Sequence, residues 1–380
     1  MRHTPVRLIS LIVLLAAACA RTPAPTPIVI GQDNSAQIAA LQTQVAQLQI
    51  AQGLPTQPPP TPAPPTPTLI APATPALTAT PTAAANFEAP LRTLDGLAEV
   101  YTIDFNPSGT LLAAATVNGV QIWNTESGQL LLTLAQPPTQ WATGVAFNAD
   151  GTRLAAVSNE PVVWVWDTTT WQIVDQLQGG GYHTVVAYSP TNNFLAAAGL
   201  DLTTYIWRVS NVEFMPSLGG HTGEITDMVF TSDGTRLLTA STDGTVRLYN
   251  PSDRAFYRSF GYRLGQVFGL ALRPDNAVFT AVDSNGAIAS WDLNTMKPVA
   301  RFTANSSGLT DVAYTLDGKQ LLTGARDGAV QLWDAATGQL TRTIQPSGVA
   351  INGLALSVDG RFIAAADRQG HIMLWAATKP

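Results

Sequence analysis

The sequence predicts an all-β protein folded as a seven-bladed propeller. The segment from His221 to Asn250 contains three β-rich runs separated by the turns Asp233-Gly234 and Asp243-Gly244. Asp-Gly between such runs is a strong hairpin signal, because these turns need positive φ. The pattern recurs every 41 to 43 residues, which is the period of a propeller blade. The third run of each copy ends on an aromatic residue: Trp123, Trp166, Trp207, Tyr249, Trp291, Trp333 and Trp375.

The two ends of the repeat region predict how the ring closes. One blade cannot bury both of its faces, so the repeats must stack on one another. Leu91–Leu94 has the composition of an outer fourth strand but no blade of its own, and the seventh repeat reaches Pro380 after its third strand. We therefore expect Leu91–Leu94 to complete the seventh blade. Such a closure removes sheet edges that would otherwise be exposed.

The composition of the repeat region excludes several classes of function. Three of the 20 basic and one of the 26 acidic residues precede residue 87, which leaves 17 and 25 and a net charge of −8. Nucleic-acid binding depends on a positively charged surface, so we expect no nucleic-acid partner. One cysteine and four scattered histidines exclude a disulfide framework and a Cys-rich zinc site. The sequence has no Gly-rich phosphate loop, and we expect no metal and no cofactor.

The chain begins with the pattern of a secretory signal. Arg2 and Arg7 precede a short apolar run within residues 1–18, and this run is too short to span a bilayer. Cys19, the only cysteine, follows directly on the sequence Leu-Ala-Ala-Ala. The alternative to a lipid-modified cysteine is an ordinary signal cleaved at an Ala-x-Ala site, with Cys19 incidental.

This arrangement resembles the lipobox of bacterial lipoproteins, although Ala16 stands where that family prefers leucine. The resemblance implies that Cys19 is acylated and becomes the first residue of the mature chain. It also implies an exported protein that is attached to a membrane, on its extracellular or periplasmic side, through its lipid.

Two further segments separate Cys19 from the repeats. Residues 19–54 contain a predicted short helix with apolar residues in 3-4-3 spacing, which favours a weak oligomerising stalk. An amphipathic helix lying near the membrane is the alternative. The residues of this seam are Ile38, Leu41, Val45 and Leu48. Residues 55–86 form a predicted disordered linker, because eleven of the 27 residues from 55 to 81 are proline. The propeller is then expected over residues 87–380.

The repeats resemble WD40 repeats. Third strands end in Trp-Asp at Trp166, Trp291 and Trp333, and Gly220-His221 precedes the fourth repeat. The resemblance extends over about residues 88 to 380. It implies a hydrogen-bonded structural set in the fourth repeat, with a tyrosine in place of the family's tryptophan. The members of this set would be His221, Thr239 or Ser241, Asp243 and Tyr249. Such residue types also occur in catalytic triads, but their place in the blade framework indicates a structural role, so we predict no catalytic residue.

The same resemblance identifies a candidate binding surface. In WD40 proteins, the position six residues before the end of each first strand lies on the rim of the channel at the narrow top face, where partners commonly dock. The rim residues here are Glu99, Trp141, Tyr182, Glu224, Gln266, Gly308 and Ala350, with Tyr101 and Phe268 two places further along in repeats one and five. Aromatic residues flanked by acids favour a protein or peptide partner with a basic or amphipathic segment. Alternatively, Trp141 only covers the end of its blade. Arg326 is assigned to the opposite, bottom face.

We therefore expect a secreted, lipid-anchored propeller that acts as a non-catalytic scaffold for protein interactions through its top face. Two alternatives stay open, because fold alone does not decide function. One is a propeller enzyme, a hydrolase of lactonase or lyase type, which would need polar or metal-binding residues converging at the channel. The predicted rim supplies two acids and no histidine. The other alternative is a glycan- or cell-wall-binding module, which would also use exposed aromatic residues.

Overall fold

The computed structural model describes residues 85–86, 90–95, 98–134, 141–261, 264–304, 308–344 and 348–376. The predicted signal sequence, Cys19, the helix within residues 19–54 and all of the linker except its last two residues lie outside the described residues. Within the described ranges, no helix has the length and apolar character needed to cross a membrane.

The described part of the chain is built from 29 β-strands. In chain order they are β1 (Ala85–Asn86), β2 (Arg92–Leu94), β3 (Val100–Phe105), β4 (Leu111–Thr116), β5 (Gly119–Asn124), β6 (Leu130–Leu134), β7 (Ala142–Phe147), β8 (Arg153–Ser158), β9 (Glu160–Asp167), β10 (Ile173–Gln178), β11 (His183–Tyr188), β12 (Phe194–Gly199), β13 (Thr204–Arg208), β14 (Glu213–Leu218), β15 (Ile225–Phe230), β16 (Leu237–Ser241), β17 (Val246–Tyr249), β18 (Phe256–Phe260), β19 (Val267–Leu272), β20 (Val278–Asp283), β21 (Ala287–Asp292), β22 (Pro298–Thr303), β23 (Leu309–Tyr314), β24 (Gln320–Ala325), β25 (Val330–Asp334), β26 (Leu340–Ile344), β27 (Ile351–Leu356), β28 (Phe362–Asp367) and β29 (Ile372–Ala376).

These strands form seven sheets, and each sheet is one blade. In blades one to six, four consecutive antiparallel strands run from the inside of the ring to the outside, beginning with β3, β7, β11, β15, β19 and β23. Inner strands of neighbouring blades contact one another around the whole circuit, including β27 with β3. The predicted turns at Gly234 and Gly244 have φ of +68° and +82°. The predicted all-β, seven-bladed propeller is therefore confirmed.

Strand β2 closes the ring by completing the seventh blade. It pairs antiparallel with β29, with Arg92 opposite Leu374 and Leu94 opposite Ile372. The blade thus combines one strand from before the first repeat with three strands from the last repeat, in the order β2-β29-β28-β27. This is the pairing expected from the sequence, although the strand begins at Arg92 and leaves Leu91 exposed.

Blade six carries a fifth strand that the sequence does not predict. Ala85 and Asn86 pair in parallel with β26, opposite Arg342 and Thr343. These two residues fall within the segment assigned to the linker. Their pairing extends the blade outward, because the backbone of an outer strand has one edge free to accept another strand.

The aromatic residue that ends each third strand packs on the outer strand of the preceding blade. Trp291 lies 5.8 Å from Phe260, and Trp333 lies 5.5 Å from Phe302, between ring centroids. Trp123 shares its apolar cluster with Leu94, which belongs to the closing strand. Aromatic rings bury large areas, so these contacts hold one blade against the next. Leu94 therefore contributes both to the seventh sheet and to the interface with blade one.

We expect Leu94→Ala to lower the free energy of unfolding by ~2–4 kcal/mol, because it opens a cavity at the closing interface. Leu94 is 2% exposed, whereas Leu91 is 55% exposed and makes a matched control. Chemical denaturation of the two variants should show a large loss for Leu94→Ala and little change for Leu91→Ala. Equal stability of both variants would show that closure does not depend on this strand.

Candidate functional site

The inner strands leave one backbone edge without a neighbouring strand, and side chains of the preceding blade bond to it. Residues at the second position of an inner strand donate to the first carbonyl of the next inner strand. The donor and acceptor pairs are Thr143 Oγ1 to His183 O (3.1 Å), Thr184 Oγ1 to Ile225 O (3.2 Å), Thr226 Oγ1 to Val267 O (2.8 Å) and Asn352 Nδ2 to Val100 O (2.7 Å). Buried backbone groups need such partners, so this position has a structural role in blades two, three, four and seven.

Blade six departs from this pattern, because Thr310 Oγ1 donates to the carbonyl of Gly324 in its own blade at 3.0 Å. Blades one and five depart from it at the mouth of the channel, which is the rim of the predicted top face. Their second positions are Tyr101 and Phe268, and both rings contact a side chain of the following blade. The Tyr101 ring lies 5.9 Å from the Trp141 ring, and the Arg326 guanidinium lies 4.9 Å above the Phe268 ring. At these two positions of the mouth, an aromatic ring thus stands where other blades have a side chain that bonds to the next inner strand.

Trp141 is held by its neighbour but stays accessible to a ligand. Its side chain is 42% exposed, and Tyr182 in the next blade is 56% exposed. This exposure leaves part of the Trp141 ring open to a ligand. The ring contact that the structure gives to Trp141 is with Tyr101 on one side, rather than with Tyr182 on the other.

The acids of the rim already have partners within the protein. Arg368 Nε donates to Glu99 Oε1 at 2.9 Å, and the Tyr101 hydroxyl donates to Glu99 Oε2 at 3.4 Å. Glu224 is also engaged within the chain. The other predicted rim residues differ in exposure: Gln266 is exposed, Ala350 is partly buried and Gly308 is buried.

Arg326 lies at the mouth, and its assignment to the bottom face is wrong. Its backbone N–H donates to the carbonyl of the rim residue Gly308 at 3.0 Å. The physical reason is the antiparallel order of the strands. Strand β23 leaves the mouth and β24 returns to it, so the turn after β24 lies beside the start of β23.

Three aspartates line the channel below the mouth and bond to the free edge of the next inner strand. Asp104 accepts from Phe147 N at 2.7 Å, Asp227 from Leu270 N at 2.6 Å, and Asp311 from Leu354 N at 2.7 Å. Burial raises the pKa of Asp104 to about 7, against the lowering effect of its backbone hydrogen bonds. Burial also raises the pKa of Asp227 and of Asp311, and the charge of Asp311 adds to the effect on Asp227. The channel wall is therefore less negative at neutral pH than its composition indicates.

The predicted structural set of blade four is assembled in part. His221 Nδ1 lies 2.9 Å from Asp243 Oδ2, and its Nε2 lies 2.8 Å from Thr239 Oγ1. Burial lowers the pKa of His221, with Asp243 acting in the opposite direction. Ser241 Oγ accepts from the backbone N–H of Asp243 at 3.1 Å and donates to the carbonyl of Gly223 at 2.9 Å, so it supports the turn that carries Asp243. The hydroxyl of Tyr249 instead donates to the carbonyl of Gly219 at 3.0 Å.

Blade six contains a related bond that our reading of the sequence missed. Trp333 Nε1 donates to Thr323 Oγ1 at 2.9 Å. Thr323 lies two repeat periods after Thr239, so the repeat spacing could have predicted this threonine as a bonding partner.

His183 occupies the place of the missing histidine in blade three. It lies four residues after Gly179, just as Ile225 lies four residues after His221. A Cβ placed on Gly179 would lie 2.4 Å from His183 Nε2, so the imidazole fills the space that a side chain at Gly179 would take. The ring is fully buried, and neither of its nitrogens has a hydrogen-bond partner among the described residues.

Two causes act on the pKa of His183. Burial lowers it to about 4, while the charge of Asp201 acts in the opposite direction.

We expect His183→Ile to raise the free energy of unfolding by about 1–2 kcal/mol at neutral pH, because two buried polar atoms without partners are removed. In the unfolded chain the His183 ring takes up a proton near pH 6.5, its ordinary pKa, whereas in the folded chain it takes up the proton only near pH 4. The stability that depends on the neutral ring is therefore lost as the pH falls from 6.5 to 4. The advantage of the variant should grow over that interval in thermal melts. A variant less stable than the parent would show that His183 has a partner.

The described residues offer no arrangement suited to metal chemistry. Within the described ranges, no group of three His, Cys, Asp or Glu side chains could hold a metal ion. A cleft of about 930 Å³ lies between blades five and six, away from the mouth. Four of its charged side chains form two ion pairs, Arg273 with Asp275 at 2.9 Å and Lys319 with Asp317 at 3.7 Å. We therefore place the candidate site at the mouth, which presents exposed aromatic surface.

Comparison with known proteins places the chain among WD-type propellers. The model of the IFT122 first β-propeller family matches residues 99–376. The WD repeat-containing protein VIP3 of Arabidopsis thaliana is 24% identical over 156 residues, which cover 37% of this chain and 48% of that protein. The chain thus spans about half the length of this curated relative. The structure of U3-55K superposes with a TM-score of 0.67 at 20% identity, covering 74% of this chain and 97% of that chain, which shows a shared fold.

Proposed function

Because the chain belongs to the family of the IFT122 first β-propeller, we propose that it is a non-catalytic scaffold that binds a protein partner at the mouth of its channel. The observation that carries this proposal is the Tyr101–Trp141 pair, with ring centroids 5.9 Å apart and Trp141 42% exposed. Tryptophan and tyrosine dominate the binding energy of protein interfaces. A ring that is held by a neighbour loses little conformational freedom when a partner covers it.

The surroundings of this pair fit a recognition site. Tyr182 and Leu200 add exposed apolar surface from blade three, and they are 56% and 53% exposed. Charged groups of Glu99, Arg368 and Arg326 stand at the same mouth. Binding sites combine apolar surface with a few fixed polar groups, and this mouth has both.

We expect Trp141→Ala to weaken partner binding by at least ~2 kcal/mol, or about 30-fold in Kd, because a hot-spot ring is lost. The partner is first isolated by crosslinking in intact cells, and its affinity is then measured by calorimetry. Leu316→Ala is the matched control, since Leu316 is 48% exposed and lies beyond the opposite end of an inner strand. Loss of binding in the control together with normal binding by Trp141→Ala would move the interface away from the mouth.

We further propose that the chain is exported and attached to a membrane through a lipid on Cys19. The short apolar run behind two arginines, and the small residues directly before Cys19, support this proposal. A lipid anchor would leave the propeller outside the membrane and able to meet a partner from the surrounding space.

Substitution of the cysteine tests the anchor. Cys19→Ala should move the protein from the membrane fraction to the soluble fraction and abolish labelling by a radioactive fatty acid. The parent chain, which carries one cysteine, is the reference. If Cys19→Ala remains with membranes after a high-salt wash, another part of the chain provides the attachment.

A further inference from the structure

We propose that the segment bound at the mouth carries an acidic side chain, which pairs with Arg326. This inference rests on the proposed function of the mouth and adds the chemistry of the partner. It reverses the expectation of a basic partner, which followed from the two rim acids alone.

The rim acids are poor receptors for a basic partner. Glu99 already bonds to Arg368 at 2.9 Å, and only 30% of the Glu99 side chain is exposed. Glu224 also takes part in an interaction within the chain. A lysine or arginine of a partner would have to displace an existing ion pair at Glu99. Replacing one ion pair by another gives little net free energy at a solvated surface.

Among the described residues, in contrast, the guanidinium of Arg326 donates no hydrogen bond. It is exposed, and in the described ranges no carboxylate lies within ion-pair distance of its guanidinium. Five other arginines of the described ranges do have such a carboxylate: Arg153, Arg208, Arg273, Arg361 and Arg368. Phe268 occupies one face of the guanidinium at 4.9 Å. Stacking on a face leaves the N–H groups in the plane free, and these groups match the two oxygens of a carboxylate.

The position of Arg326 relative to the aromatic pair suits an extended peptide. Tyr101 and Trp141 meet between blades one and two, whereas Phe268 and Arg326 meet between blades five and six. In a ring of seven blades, these two contacts lie on opposite halves of the mouth. A peptide crossing the mouth can therefore place an apolar side chain on Trp141 and an acidic side chain on Arg326.

The channel wall beneath the mouth presents a reduced negative charge to such a peptide. Asp104, Asp227 and Asp311 have raised pKa values because they are buried. Each also directs one carboxylate oxygen to a backbone N–H of the next blade. These three channel carboxylates are thus already hydrogen-bonded, and the guanidinium of Arg326 beside Phe268 is a positive group that an acidic partner can reach.

Selection from a displayed library of random short peptides against the purified full chain tests the inference. We expect the recovered peptides to combine an aromatic or aliphatic residue with Asp or Glu at a fixed separation. Their affinity should fall about tenfold or more on Arg326→Gln, because a charge-assisted hydrogen bond is lost. Arg258→Gln is the matched control, since Arg258 is exposed on the outer strand β18 and should not affect binding.

Exchanging the charges of Arg326 and of the peptide's acidic residue tests whether these two side chains pair directly. Arg326→Glu should abolish binding of a selected peptide, and replacement of the peptide's acid by lysine should restore it. Recovery of Lys- or Arg-rich peptides that need Trp141 but tolerate Arg326→Gln would overturn this inference and leave the proposed function intact. Peptides that tolerate Trp141→Ala, or a selection that recovers no peptide, would count against the proposed function itself.

Discussion

The free edge of each inner strand is the constraint on which this propeller depends. Its N–H and carbonyl groups face the channel, where no further strand can pair with them, so side chains must provide the hydrogen bonds. Thr226 bonds to the carbonyl of Val267, and Asp227 bonds to the N–H of Leu270, both in the following blade. Each of these contacts joins two blades as well as satisfying the backbone. The ring is therefore held from inside by polar bonds and from outside by aromatic residues such as Trp291 on Phe260.

The candidate site arises where this rule is relaxed. Tyr101 and Phe268 stand at positions that carry a hydrogen-bonding threonine or asparagine in the other blades, and their rings instead contact Trp141 and Arg326. An aromatic residue at this position loses the hydrogen bond to the next inner strand, so we expect it to contribute something else, such as a binding surface. The two aromatic contacts also fix the side chains that a partner would meet. In a repeat protein, the positions that depart from the repeat are therefore the ones to examine for function.

The fold could be predicted from the sequence because its signals are local and repeated. The Asp-Gly turns, the aromatic endings and the spare strand at Leu94 each indicate one feature of the ring, and they agree with one another. The site was harder to predict. Trp141 and Tyr182 followed from the repeat spacing, but the pairing of Trp141 with Tyr101 depends on contact between blades. Arg326 lies at the mouth because β24 runs towards the mouth and Arg326 follows its last residue. The sequence alone already implied this direction, but the prediction placed Arg326 on the bottom face. The imidazole of His183 fills the space that a side chain at Gly179 would take, and only the packed structure shows this contact.

The central claim is that the mouth of the channel is the binding surface. Hydrogen–deuterium exchange of the full chain, with and without a bound partner or selected peptide, tests it most directly. The account predicts slower exchange in the segments around Tyr101, Trp141, Phe268 and Arg326, which come from four different blades. Exchange in the outer strands should stay unchanged, since a ligand at the mouth does not cover them. Protection confined to outer strands such as β14 or β18, with no change at the mouth, would contradict the claim.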